Sequence, residues 1–136
     1  MISTRIARAS AAVLLAGGLV LLFAADVALP HLVATFPAGG AWIGQLLAAA
    51  WLGLAALDWT SQRSLLGGIY GRPIVLANAA HYFIATMVLL REAARGAAPP
   101  ALWIVLVPLA VFAALYGWLL LRGPFRRDLD TQRGSA

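Results

Sequence analysis

Residues 58–81 read DWTSQRSLLGGIYGRPIVLANAAH. The stretch opens polar and passes through Arg63, Gly67, Gly68, Gly71 and Arg72. After Pro73 it becomes an apolar segment whose polar residues are Asn78 and His81. The residues before it, 41–57, are apolar apart from Gln45. A polar, glycine-rich turn between two apolar runs is the signature of two helices running in opposite directions. Pro73 suits the first turn of the second helix, where its missing N–H would have no partner anyway. Working outward from this turn, the chain divides into four apolar runs at about residues 10–29, 41–57, 73–90 and 101–121. At 1.5 Å per residue each covers roughly the 30 Å of a bilayer's hydrocarbon core.

Composition makes the same point. The 136 residues are 62% hydrophobic and 11% charged. A soluble domain is about 45–50% apolar and about 25% charged, because its surface must be polar. So small a globule cannot hide this excess, and lipid removes the need. The expected fold is all-α, an integral membrane antiparallel four-helix bundle with short connections. The first run has a basic start like a signal peptide. It is longer than the 7–15 residues of a cleaved core, and it is read as a retained span that Pro30 stops. Pro108 is expected to bend the last helix. Residues 122–136 form a polar tail that is expected to be disordered.

All ten basic residues are arginines. They stand at the ends of apolar runs and form no patch, so nucleic acid is excluded as a partner. Eight fall in the N-terminus, the 58–72 connection and the tail, and two fall in 91–100. That asymmetry places both termini in the cytoplasm. The absence of cysteine excludes disulfide exchange, Cys-ligated metal and Cys nucleophiles.

The few polar residues within the runs are the candidates for function, since such groups are costly in lipid and usually face protein or water. Asp26 and Gln45 are at similar depth and are expected to share a hydrogen bond. Asn78 and His81, three apart, share a helix face about 12 Å below the start of their run. With Gln45 and Trp51 they are the candidate ligand-binding set. At that depth His81 can relay a proton, bond a ligand carbonyl such as that of a quinone, or clasp a neighbouring helix. Haem needs a second ligand, and the other histidine, His31, belongs at the outer surface. A zinc or iron centre needs three ligands, which are missing. In the connection, Gly67 and Gly68 with Arg63 and Arg72 can cup an anion or lipid headgroup. Its sequence is not a Walker loop, and ordinary positive-inside arginines explain it equally well. Asp58 stands at a span border and is expected to pair with Arg72. Gly44, Ala48, Ala49 and Gly53 put small residues on two faces of the second run, as close helix packing in lipid requires. No nucleophile–base pair and no paired carboxylates are present.

The motif Asp58-Trp59, then Gly67-Gly68-Ile69-Tyr70-Gly71-Arg72-Pro73, then Asn78 and His81, resembles small uncharacterised bacterial four-helix membrane proteins, loosely of the DoxX and DUF4345-type group. The likeness covers about a third of the chain. It implies a four-helix bacterial membrane protein, and the DoxX name adds a link to quinone and respiratory chemistry. Three functions follow as expectations. The first is a non-catalytic accessory or assembly protein that binds partner helices or lipid, within a membrane complex or homo-oligomer. The second is a binding or transport protein with a cavity near His81. The third is a quinone-linked redox subunit.

Overall fold

A computed structural model describes residues 2–33, 35–62, 71–96 and 98–121. Among them there is no strand. The elements are α1 (Ile2–Phe23), α2 (Ala25–Leu32), α3 (Ala41–Ser61), α4 (Gly71–Ala94) and α5 (Pro100–Leu121), with a single 3-10 turn at Ala38–Gly40 before α3. The fold is all-α, as expected. Four helices, α1, α3, α4 and α5, are long and apolar enough to cross a membrane. Arg63, Gly67 and Gly68 lie outside the described residues, as does the tail.

The helices exceed the apolar runs at several ends. α1 begins at Ile2 and ends at Phe23, and Ala24 leaves the helical conformation with φ −136° and ψ 32°. The chain then restarts as α2, so 10–29 is two helices with a break. Pro30 does not stop the helix: it lies inside α2, which runs on to Leu32. α3 extends past Leu57 to Ser61, which puts Asp58 within the helix instead of in the connection. α4 ends where Gly96, at φ 99°, takes the left-handed conformation that a side chain would oppose.

Two antiparallel pairs build the bundle. α1 packs along α3, and α4 along α5. The first pair is close because glycines open it. A Cβ on Gly17 would fall 2.5 Å from the Trp51 ring, and one on Gly18 would fall 2.9 Å from Leu52. Of the two small faces on α3, Gly44 and Ala48 are buried, whereas Gly53 meets nothing within 4 Å. Large side chains fill the space between the pairs. Tyr82 stacks on Phe112 with ring centroids 5.2 Å apart and on Tyr116 at 5.6 Å, amid Leu14, Val75 and Leu109.

One spacing runs through all four helices. Buried positions recur at steps of three and four, or their sum of seven: Ser3, Ala7, Ser10, Leu14 on α1; Gly44, Ala48, Ala55, Asp58 on α3; Gly71, Val75, Asn78, Tyr82 on α4; Leu102, Leu106, Leu109, Phe112, Tyr116, Leu119 on α5. This is the spacing expected of the inward seam of packed helices. The remaining surface is apolar. Only 22–39% of the most apolar window of each long helix is buried. Residues such as Ile84 and Ile104 point outward at 60% and 75% exposure. Water would penalise such a surface and lipid does not, so the chain has the make-up of a multi-pass membrane protein. Trp42 and Trp103 stand exposed near one end of the bundle, and Trp59 and Trp118 near the other. Amphipathic indoles favour such interfacial levels.

Candidate functional site

The seam carries polar residues at one level, and all four long helices contribute. Asp58 of α3 is fully buried. Its Oδ2 accepts a hydrogen bond from Ser10 Oγ of α1 at 2.5 Å and one from the Tyr116 hydroxyl of α5 at 3.1 Å. Its Oδ1 accepts from Asn78 Nδ2 of α4 at 2.6 Å. Ser10 Oγ also lies 2.6 Å from the Tyr82 hydroxyl. A serine has one hydrogen to give. Ser10 gives it to Asp58, so Tyr82 donates to Ser10. Asn78 Nδ2 also donates to the Ile74 carbonyl one turn back, at 3.1 Å. Ser10, Asn78 and Tyr116 thus donate directly to one carboxyl group, which can accept about four such bonds, and Tyr82 reaches it through Ser10. Ser10, Asp58, Asn78, Tyr82 and Tyr116 come together because each occupies the inward seam of its own helix.

Three donors converge on the two oxygens of the Asp58 carboxyl, and a dry surrounding strengthens hydrogen bonds of this kind. His81 is within electrostatic reach of Asp58. Among the described residues no group of three His, Asp or Glu side chains is arranged to hold a metal ion.

A second polar layer lies deeper. Trp51 and His81 meet edge to face, with ring centroids 6.5 Å apart and planes at 89°, and the His81 ring also touches Tyr82. Trp51 Nε1, His81 Nε2 and Thr86 Oγ1 are buried and have no hydrogen-bond partner among the described residues, as is true of Asn78 Oδ1 within the Asp58 cluster. Buried polar atoms are nearly always paired, so this layer is exceptional.

The structure divides the set predicted from sequence. Trp51 and His81 come together. Asn78, although on the same helix face as His81, binds Asp58 instead of joining them. Gln45 is elsewhere and exposed: its Nε2 reaches the Leu22 carbonyl at 3.4 Å, near the end of α1. The break at Ala24 leaves such terminal carbonyls without helical partners. The expected Asp26–Gln45 bond is thus replaced by a cap, and Asp26 is exposed in the first turn of α2. Arg72 is in the first turn of α4. The clasp between helices expected of His81 is made by Asn78 with Asp58.

Sequence reasoning passed over Ser10, Tyr82 and Tyr116. The signal was present: each falls on the three–four spacing of its helix, as does Asp58 when the Gly44–Ala48–Ala55 stripe is extended by one step.

On the outside, α1 and α3 leave a groove of about 510 Å³ lined by Ala11, Ala12, Leu15, Leu52, Ala55, Ala56, Trp59 and Thr60. Where α1 begins and α3 ends, Arg8 donates a hydrogen bond to Gln62 between the two helices. Comparison of the chain with protein-family models, curated proteins and solved structures finds no match.

Proposed function

We propose that this chain is a non-catalytic accessory or assembly protein of the bacterial inner membrane, with both termini cytoplasmic, that binds partner helices or lipid. The observation that carries the reading is the contrast between inside and outside. The Asp58 cluster spends its donors on its own carboxylate, whereas α1 and α3 open a groove of small apolar residues outward. Small residues at a lipid-facing groove permit the close approach on which association in a membrane depends. The arginine asymmetry supports the orientation, and the Asp58-to-His81 motif supports kinship with the DoxX-like group. A photo-crosslinking residue at Ala56, in the groove, is expected to capture one discrete species in cells. The same residue at Ile84, on α4, is expected to label bulk lipid alone. Equal, diffuse labelling from both positions would refute the reading.

A second reading rests on the Trp51–His81 layer. An indole N–H donor and an imidazole nitrogen, both without partners among the described residues and on rings that meet edge to face, suit a small ligand with a carbonyl oxygen, a quinone among them. Quinone-dependent quenching of tryptophan fluorescence that vanishes in Trp51→Phe would favour it. Quenching that is unchanged in that variant would exclude it.

A further inference from the structure

We infer that the α1/α3 groove seats one anionic phospholipid, with the headgroup phosphate at Arg5 and Arg8 and an acyl chain along Ala12, Leu15, Leu52 and Ala56. The inference rests on the reading that this face is the docking surface, and it names the occupant.

Length is the first argument. From Leu52 to Thr60 the α3 wall rises about 12 Å at 1.5 Å per residue. That is close to half of a hydrocarbon core of about 30 Å, or one leaflet. A partner helix crossing the membrane would use the whole height of the bundle, whereas this groove stops midway. Its inner end closes where Leu52 packs against Gly18, at a distance that would leave no room for a Cβ.

The second argument is charge. On α1, Arg5, Arg8, Ala12 and Leu15 follow one another at steps of three and four, so the two arginines continue the stripe that lines the groove on its α1 side. All four residues are exposed. The Arg8–Gln62 bond ties the two walls together at that end and holds the guanidinium over the opening. Trp59, 59% exposed, and Thr60 complete a polar and aromatic rim. A positive rim over an apolar slot one leaflet deep matches a phosphate joined to an acyl chain. Arginine's planar fork is suited to a phosphate, which it can grip with two parallel bonds.

The test uses the full chain, purified in mild detergent, stripped of lipid, and offered equal amounts of phosphatidylglycerol and phosphatidylcholine with identical acyl chains. Native mass spectrometry is expected to find one phosphatidylglycerol retained per chain in preference to phosphatidylcholine. Arg8→Gln should cut that preference about five-fold, the worth of one arginine at an anionic surface. Arg95→Gln, whose arginine pairs with Glu92 at the opposite end of the bundle, should leave it unchanged. Ala56→Phe fills the slot and should abolish retention of both lipids. A preference indifferent to Arg8→Gln overturns the inference. So does a second copy of the chain held in place of lipid and dispersed by Ala56→Phe, although that result would leave the docking face intact. If Ala56→Phe alters neither lipid retention nor oligomeric state, the inference and the docking face fall together.

Discussion

Asp58 and Trp51 lie seven residues apart on the same face of α3, about 10 Å along the axis, and both are in polar company. Around Asp58 each helix supplies a donor to a shared acceptor, and the donors meet it at 2.5–3.1 Å. Around Trp51 the imidazole of His81 offers its edge, and neither ring nitrogen finds a bond among the described residues. The difference teaches where the bundle's specificity resides. Apolar packing alone leaves the rotation and register of helices in lipid loosely set, because a tail is as apolar as a leucine. A buried carboxylate that must be met by Ser10, Asn78 and Tyr116 together fixes one arrangement of the two helix pairs. The Trp51–His81 contact imposes no such condition.

The largest test of this contrast is Asp58→Ala. It leaves three buried donors without an acceptor, and thermal unfolding in detergent should show a loss of about 2–4 kcal/mol. A loss below about 1 kcal/mol would mean that the cluster does not hold the pairs together. Ser10→Ala removes two bonds of the network and is expected to cost about 1–2 kcal/mol. Tyr116→Phe removes one bond and keeps the ring stack, for about 1 kcal/mol. Because both act through the same carboxylate, their double variant should deviate from additivity by about 0.5 kcal/mol or more, read in a double-mutant cycle. Simple additivity would separate Ser10 from Tyr116 and break up the cluster as a unit. The smallest effect is expected in the deeper layer. Trp51→Phe, which deletes an N–H without a partner among the described residues and keeps an aromatic ring against Gly17, should change stability by no more than about 0.5 kcal/mol. A cost there equal to that of Ser10→Ala would show that the indole nitrogen has a partner of its own.

Much of the fold is legible in the sequence because lipid simplifies the problem. Four apolar runs of sufficient length, with Asp26 their one formal charge, have few options other than to span, since every backbone polar group must be satisfied within its own segment. The site was harder to read. His81 stands out as a lone histidine in an apolar run, and it draws attention toward the residue whose ring nitrogen is left unpaired. Asp58 reads as a loop acid because the apolar run before it ends at Leu57 and a polar sequence follows. Helix α3 continues through it nonetheless, since Trp59, Thr60 and Ser61 accept helical geometry. Thr60 ties its hydroxyl to the Ala56 and Leu57 carbonyls behind it. Ser10, Tyr82 and Tyr116 are polar atoms on residues that pass for apolar filler, visible only when the three–four seam is followed helix by helix.

What the sequence by itself determines is therefore the setting: all-α, four apolar helices of membrane length, with four of the five tryptophans toward their ends. Hydrophobicity and helix length are local properties and survive being read along a line. Which polar groups meet is decided by the tertiary structure alone. Ser10 and Asp58 are 48 positions apart, and Asp58 and Tyr116 are 58 apart. Helix rotation and register bring them within hydrogen-bond distance. Those are set jointly by Gly17 and Gly18 admitting α3 against α1, and by the tyrosines filling the space between the pairs. A carboxylate that reads as a surface charge thereby becomes the centre of the bundle, because burial without its donors would cost more than the fold could bear.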